Sequence, residues 1–133
     1  MATRGRLQLS YVVAALGYMI GIFILSSSEG TIGPSSLVLT KALHIPLFAG
    51  VTGCLLLAVT GGRWYRRVSV QAYVLVAAIA IACAVADEWR QAFVVSRIGS
   101  ALDVLLDCVG IGLAILIHAV VARRVNARQV TPL

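Results

Sequence analysis

The sequence predicts an all-α, polytopic membrane protein: a bundle of four transmembrane helices with both termini cytoplasmic. Three observations carry this. Hydrophobic residues make up 60% of the chain, against roughly 45–50% in a soluble domain. Only 12% of residues are charged, about half the soluble norm, and mean hydropathy is +0.97. The basic residues, finally, cluster beside alternate ends of the apolar runs. At 133 residues the chain is expected to form a single domain.

The first span is expected over 9–25, apolar apart from Ser10, Tyr11 and Tyr18 and within the about 17–25 residues a crossing needs. Arg4 and Arg6 before it and Ser26-Ser27-Ser28 after it also fit a signal peptide. A retained helix is the preferred reading, because the run is long for a signal sequence and Gly17 and Gly21 suit helix packing. The segment from Ser26 to Lys41 then reads as a loop rich in Ser, Gly and Thr.

The second span is expected over 43–60, with His44 at its start and Pro46 in its first turn, where a missing N–H costs nothing. A helix beginning near Ser36 and kinked at Pro46 is the alternative. Gly61 to Arg67 is a turn carrying Arg63, Trp64, Tyr65, Arg66 and Arg67, the composition of a membrane-interface anchor. The third and fourth spans are expected over 68–86 and 101–122. Arg123, Arg124 and Arg128 close the chain in a polar tail expected to fray.

Charge sets the orientation. Arg4, Arg6, Arg63, Arg66, Arg67, Arg123, Arg124 and Arg128 fall on one side of these spans, and only Lys41, Arg90 and Arg97 on the other. Cytoplasmic segments carry the excess of Lys and Arg, so both termini are expected inside. The five acids, Glu29, Asp87, Glu88, Asp103 and Asp107, fall toward the outer side. The net charge of +6 then reads as a topology signal and an attraction to anionic headgroups. It does not point to nucleic acid, for which the chain offers neither a basic face nor a stacking platform. Cys54, Cys83 and Cys108 are widely spaced inside apolar runs and read as small hydrophobic filler. No internal repeat suggests an inverted-repeat transporter.

The candidate site is the stretch from Asp87 to Asp103, with Asp107 one turn further on. Ser100, Asp103, Asp107 and Gly110 recur at helical spacing and share a face of the fourth span. Asp107 falls about 9 Å inside a helix starting at Ala101. An Asp near the middle of a membrane helix costs about 2.5–3.5 kcal/mol, so such residues face the bundle interior and take a partner. Asp87 and Gln91 share a face if the third helix runs past Glu88. The partners on that side are Arg97, Arg90, Lys41 and His44, and Arg97 is expected to bridge Asp103 or Asp87. A buried ion-pair network that only fixes helix register is the competing reading. Four carboxylates with Arg, Lys, His and Gln exceed what register needs.

Carboxylates beside a His in a low-dielectric site have the means for acid–base chemistry. They would equally suit a hard divalent cation, but no spacing is diagnostic of metal and no cofactor is expected. Ser26, Ser27 and Ser28 read as a polar helix exit in the absence of a fixed base. His118 is expected at the opposite interface, unrelated to the site, and Trp64, Tyr65 and Trp89 as belt aromatics.

The pattern Asp87-Glu88-x-x-Gln91-x-Phe93-Val94-x-x-Arg97-x-Gly99-Ser100-x-x-Asp103 followed by Gly110 resembles the signature of the VanZ-like family. These are small bacterial membrane proteins named for a member linked to teicoplanin resistance. Leu25-Ser26-Ser27 at the end of the first helix and Lys41-x-x-His44 at the second agree with it, so the resemblance touches all four helices. Thr40 departs from the Asp usual in the family, Val95-Ser96 from Pro-Gly, and Asp107 from a common Asn. The resemblance implies a four-helix bacterial inner-membrane protein with a polar site at the outer leaflet. It supplies no reaction, and glycopeptide susceptibility enters only as a phenotype suggested by the family name.

The expected function is binding or processing of an anionic cell-envelope lipid or lipid-linked precursor. Asp87, Glu88, Asp103 and His44 are the acid–base candidates. Arg97, Gln91, Lys41, Ser100, Ser26 and Asp107 are the binding candidates. Membrane lipids are the expected partners. The alternative is a non-catalytic structural or regulatory membrane protein whose ion pairs fix the bundle or dock a partner. Proton or ion passage is disfavoured because the cytoplasmic half carries no acid. Gly50, Gly53, Gly110 and Gly112 would permit close helix contacts within or between chains, which leaves the oligomeric state open.

Overall fold

A computed structural model describes residues 7–27, 34–93 and 100–128, with side chains described over 7–24, 41–93 and 100–128. The described residues form four helices and no strand: α1 (Leu9–Ser27), α2 (Pro34–Thr60), α3 (Val70–Gln91) and α4 (Ala101–Arg128). Three segments, Lys41–Thr60 of α2, Val70–Gln91 and Ala101–Arg128, are long and apolar enough to cross a membrane, and α1 contributes a shorter apolar stretch, Leu9–Ile24. The chain is a helical membrane protein.

Each helix exceeds its expected span for a local reason. α2 begins at Pro34, close to the alternative start near Ser36 and not at residue 43, so Pro46 lies inside the helix and not in its first turn. Pro34, with its preset φ, suits that first turn instead. Much of the expected first loop is therefore helical. Pro46 removes one intrahelical N–H, a loss membrane helices tolerate where neighbouring elements pack closely. α2 stops at Thr60 because Gly61 and Gly62 take positive φ (69° and 79°) and the Gly62 N–H returns to the Leu57 carbonyl at 2.8 Å, the Schellman arrangement. α3 starts after Ser69, whose hydroxyl accepts from the Ala72 N–H at 3.2 Å, an N-cap. It runs past residue 86 through Gln91 because Asp87 and Gln91 fall on its buried face with Val76, Ala80 and Ala84. α4 continues to Arg128 where a frayed tail was expected. Asn126 holds that last segment, donating to the Ala122 and Tyr65 carbonyls at 2.6 and 3.0 Å.

α2 and α4 form the central pair, and α2 touches all three other helices. The two run parallel, since Lys41 and His44 near the start of one meet Asp103 and Asp107 near the start of the other. α1 runs against α2, with the Gln8 N–H on the Ala58 carbonyl at 3.0 Å. α3 runs against α4, with Tyr73 beside His118. The core joins Ile22, Phe48, Val51, Ala80, Ala84 and Ile111. Small residues face inward on α3 and α4, while Val70, Val74, Leu75, Val85, Leu105, Leu116 and Ile117 face outward. That distribution suits lipid outside and close backbone approach inside. The buried Thr52 and Thr60 hydroxyls donate to carbonyls of their own helix, Phe48 and Leu57.

The glycines divide. A Cβ at Gly110 would strike the Ile45 carbonyl, with the Ala49 nitrogen 3.2 Å away, and one at Gly50 would meet the Tyr18 hydroxyl at 2.6 Å. Gly17, Gly21 and Gly112 have nothing within 4 Å of that position. Among the described residues, therefore, Gly17 and Gly21 make no close contact with another helix of this chain. Gly110→Ala should force α2 from α4 and cost about 1–3 kcal/mol, whereas Gly112→Ala should cost nothing, as read by denaturant unfolding in detergent.

Candidate functional site

The four described carboxylates gather where α2 and α4 begin and α3 ends. Helical spacing on two parallel helices generates a ladder: Lys41 and His44, three apart on α2, face Asp103 and Asp107, four apart on α4. The Lys41 ammonium donates to Asp103 Oδ1 at 3.0 Å, and His44 Nδ1 lies 2.9 Å from Asp107 Oδ1. Gly110 follows one turn deeper, bringing the backbones close enough for both rungs to form.

α3 adds the second half. Asp87 accepts from Arg90 Nη2 at 2.9 Å and from the Gln91 amide at 2.8 Å. The i, i+3 and i, i+4 spacings make these pairs neighbours on one helix face. The Arg90 guanidinium also stands 5.5 Å over the Phe23 ring, tying α1 to the site through a cation–π contact. Glu88 accepts the backbone N–H of Ser100, closing the end of α3 onto the start of α4. Asp103 sits in the first turn of α4, where the helix dipole favours negative charge.

Burial is graded. The Asp87 and Asp107 side chains are each 3% exposed, those of Lys41 and Arg90 31% and 32%. Carboxylates thus form the inner layer, with cations at the rim. Asp87, Glu88, Asp103, Asp107 and His44 lie within electrostatic reach of one another. Lys41, His44 and Arg90 each stand against one of these acids, Asp103, Asp107 and Asp87 respectively. Among the described residues no three His, Cys, Asp or Glu side chains converge as a metal ion would need.

The structure thus unites eight of the ten expected site residues: Lys41, His44, Asp87, Glu88, Gln91, Ser100, Asp103 and Asp107. Arg97 and the Ser26 side chain lie outside the described residues, and so does the bridge expected from Arg97. Among the described residues, Asp103 is met by Lys41 and Asp87 by Arg90 and Gln91. Arg90 was the residue undervalued, although its position three after Asp87 signalled the pair. Trp89 and Phe93 meet as tilted rings with centroids 6.2 Å apart on the outer surface, both well exposed.

At the opposite end, His118 is fully buried within the bundle. Its Nδ1 lies 2.8 Å from the Tyr73 hydroxyl, and its ring meets the Trp64 ring edge-on at 5.0 Å. Trp64, half-buried, turns its ring toward α4 and Gly53. Small neighbours on the packed face of α4, Ala114 and Ala122, leave the room for these rings.

The fold and site define a class, a helical membrane protein with a buried carboxylate cluster at one end and arginines at the other. No family model, curated protein or solved structure matches the chain. The likeness to VanZ-like proteins therefore rests on its own residues.

His44→Ala should be the most damaging single change here, costing about 3 kcal/mol, because it leaves the buried Asp107 carboxylate uncompensated. Asp107→Asn keeps a polar partner for the imidazole and should cost about 1 kcal/mol. Denaturant midpoints in detergent check the order of the two.

Proposed function

We propose that this chain is a VanZ-like protein of the bacterial cytoplasmic membrane whose acidic end binds the phosphate-bearing headgroup of an anionic cell-envelope lipid or lipid-linked precursor. In this reading all four helices span, both termini are cytoplasmic, and the carboxylate cluster lies at the outer leaflet. The separation of charge supports it. Arg63, Arg66, Arg67, Arg123, Arg124 and Arg128 stand at the end opposite Asp87, Glu88, Asp103 and Asp107, as the positive-inside rule would have them.

One observation carries the binding role: Lys41 and Arg90, each about a third exposed, are held at the rim by carboxylates buried behind them. An ammonium has three donors, and Asp103 takes one from Lys41. The buried acids thereby aim cations toward headgroup depth, where Arg97 would complete a phosphate clamp. Gln91 and Ser100 steady Asp87 and Glu88. The His44–Asp107 pair is the acid–base element should a bond be broken.

A second reading is favoured by a different observation. Every described carboxylate already has a partner within the chain, which suits a structural or regulatory protein whose ion pairs fix the bundle. The exchange Lys41→Asp with Asp103→Lys separates the two. Under the binding proposal it restores stability lost in either single variant, yet retention of a co-purifying phosphorylated lipid, followed by native mass spectrometry, stays at least about tenfold below wild type. Restoration of lipid retention along with stability would overturn binding in favour of structure. Arg97→Ala should lower retention alone, with unfolding unchanged.

A further inference from the structure

The arginine-rich end holds a second polar feature, independent of the carboxylate cluster. Between the segment leading into α3 and the last turns of α4 lies a half-open cavity of about 150 Å³, lined by Arg67, Val68, Val70, Tyr73, Ala119, Ala122 and Arg123. Drug-sized ligands occupy roughly 300–1,000 Å³, so this space suits a group the size of a phosphate. Ala119 and Ala122 create it by presenting only methyl groups, and Arg67 and Arg123 bring cations to it from two elements.

Among the described residues, no carboxylate stands near these cations. The described acids, Asp87, Glu88, Asp103 and Asp107, all stand at the other end of the helices, and three are already paired with Lys41, His44 and Arg90. Arg67 and Arg123 make no ion pair among the described residues. The N-terminus of α3, beginning at Val70, adds its positive dipole end to the same space.

His118 supplies the third component. It is fully buried, its Nδ1 is on the Tyr73 hydroxyl, and its Nε2 has no hydrogen-bond partner among the described residues. A neutral imidazole carries its proton on one nitrogen only. In the tautomer with that proton on Nδ1, His118 donates to the Tyr73 oxygen and the Tyr73 O–H is left to donate into the cavity it lines. Arg123 is close enough for its charge to act on that hydroxyl.

We propose that this cavity is a binding site for the phosphate of an anionic phospholipid, clamped by Arg67 and Arg123, with the Tyr73 hydroxyl as third donor and His118 as the residue that positions it. The acyl chains would run along the outward apolar face of α3, where Val70, Val74 and Leu75 are exposed. This site is distinct from the acidic end and does not depend on the function proposed for it.

The test uses the intact protein in detergent, titrated with phosphatidylglycerol, phosphatidylcholine or inorganic phosphate and followed by native mass spectrometry. Wild type should take up one phosphatidylglycerol at a concentration about tenfold below that needed by Arg67→Gln/Arg123→Gln, the loss expected from two charge-assisted contacts. Arg63→Gln/Arg128→Gln removes the same charge away from the cavity and should behave as wild type. Equal loss in that control would overturn the site in favour of diffuse attraction. Equal uptake of phosphatidylcholine would overturn selectivity for an anionic lipid. Displacement of the bound lipid by inorganic phosphate alone would assign the cavity to free phosphate and overturn the lipid as its occupant. Tyr73→Phe should weaken uptake about threefold, and unchanged uptake would remove Tyr73 and His118 from the site.

Discussion

The contact between α2 and α4 is the constraint on which the rest depends. Gly110 lets the two backbones meet at the Ile45 carbonyl, and that approach places the Lys41–Asp103 and His44–Asp107 rungs at 3.0 and 2.9 Å. In an apolar setting an unpaired carboxylate is far costlier than a poorly packed methyl group. The rungs therefore select the register, and the glycine permits it. Pro46 lies beside this contact, in a helix that already gives up one backbone hydrogen bond there.

Two elements close around that pair by different means. α1 joins α2 through apolar packing at Ile22 and reaches α3 through Phe23, which lies beneath the Arg90 guanidinium. α3 joins α4 at both ends with polar contacts, Glu88 to Ser100 at one and Tyr73 to His118 at the other. Between them lie alanines. Small residues inside and bulky ones outside leave little apolar area to drive association, so close van der Waals contact and a few hydrogen bonds must hold the helices.

The two ends consequently differ in chemistry. At one, cations rest on buried carboxylates, and any anionic ligand must compete with those partners. At the other, arginines meet no described carboxylate and a phosphate would meet no such competition. The binding proposed at the acidic end thus calls for Arg97 as well as Lys41, whereas the arginine-rich cavity is cationic without further help.

Much was legible beforehand because it depends on composition and local spacing. Helical class and membrane character follow from apolar runs too long and too lightly charged for a soluble domain. The clustering of Asp87, Glu88, Asp103 and Asp107 at one end follows from which loops and helix ends carry them, and the Asp87–Gln91 pair from helical spacing. α3 and α4 run on at residues that read as loop or tail by sequence, Asp87 and Gln91 because a buried face covers them and Asn126 because it binds the Tyr65 carbonyl in the turn before α3. Only the tertiary structure decided that Lys41 and His44 take Asp103 and Asp107, that His118 and Trp64 turn inward, and that Gly110 rather than Gly17 makes the close contact. Those outcomes depend on which faces of different helices meet, a long-range choice that residue spacing along one helix does not contain.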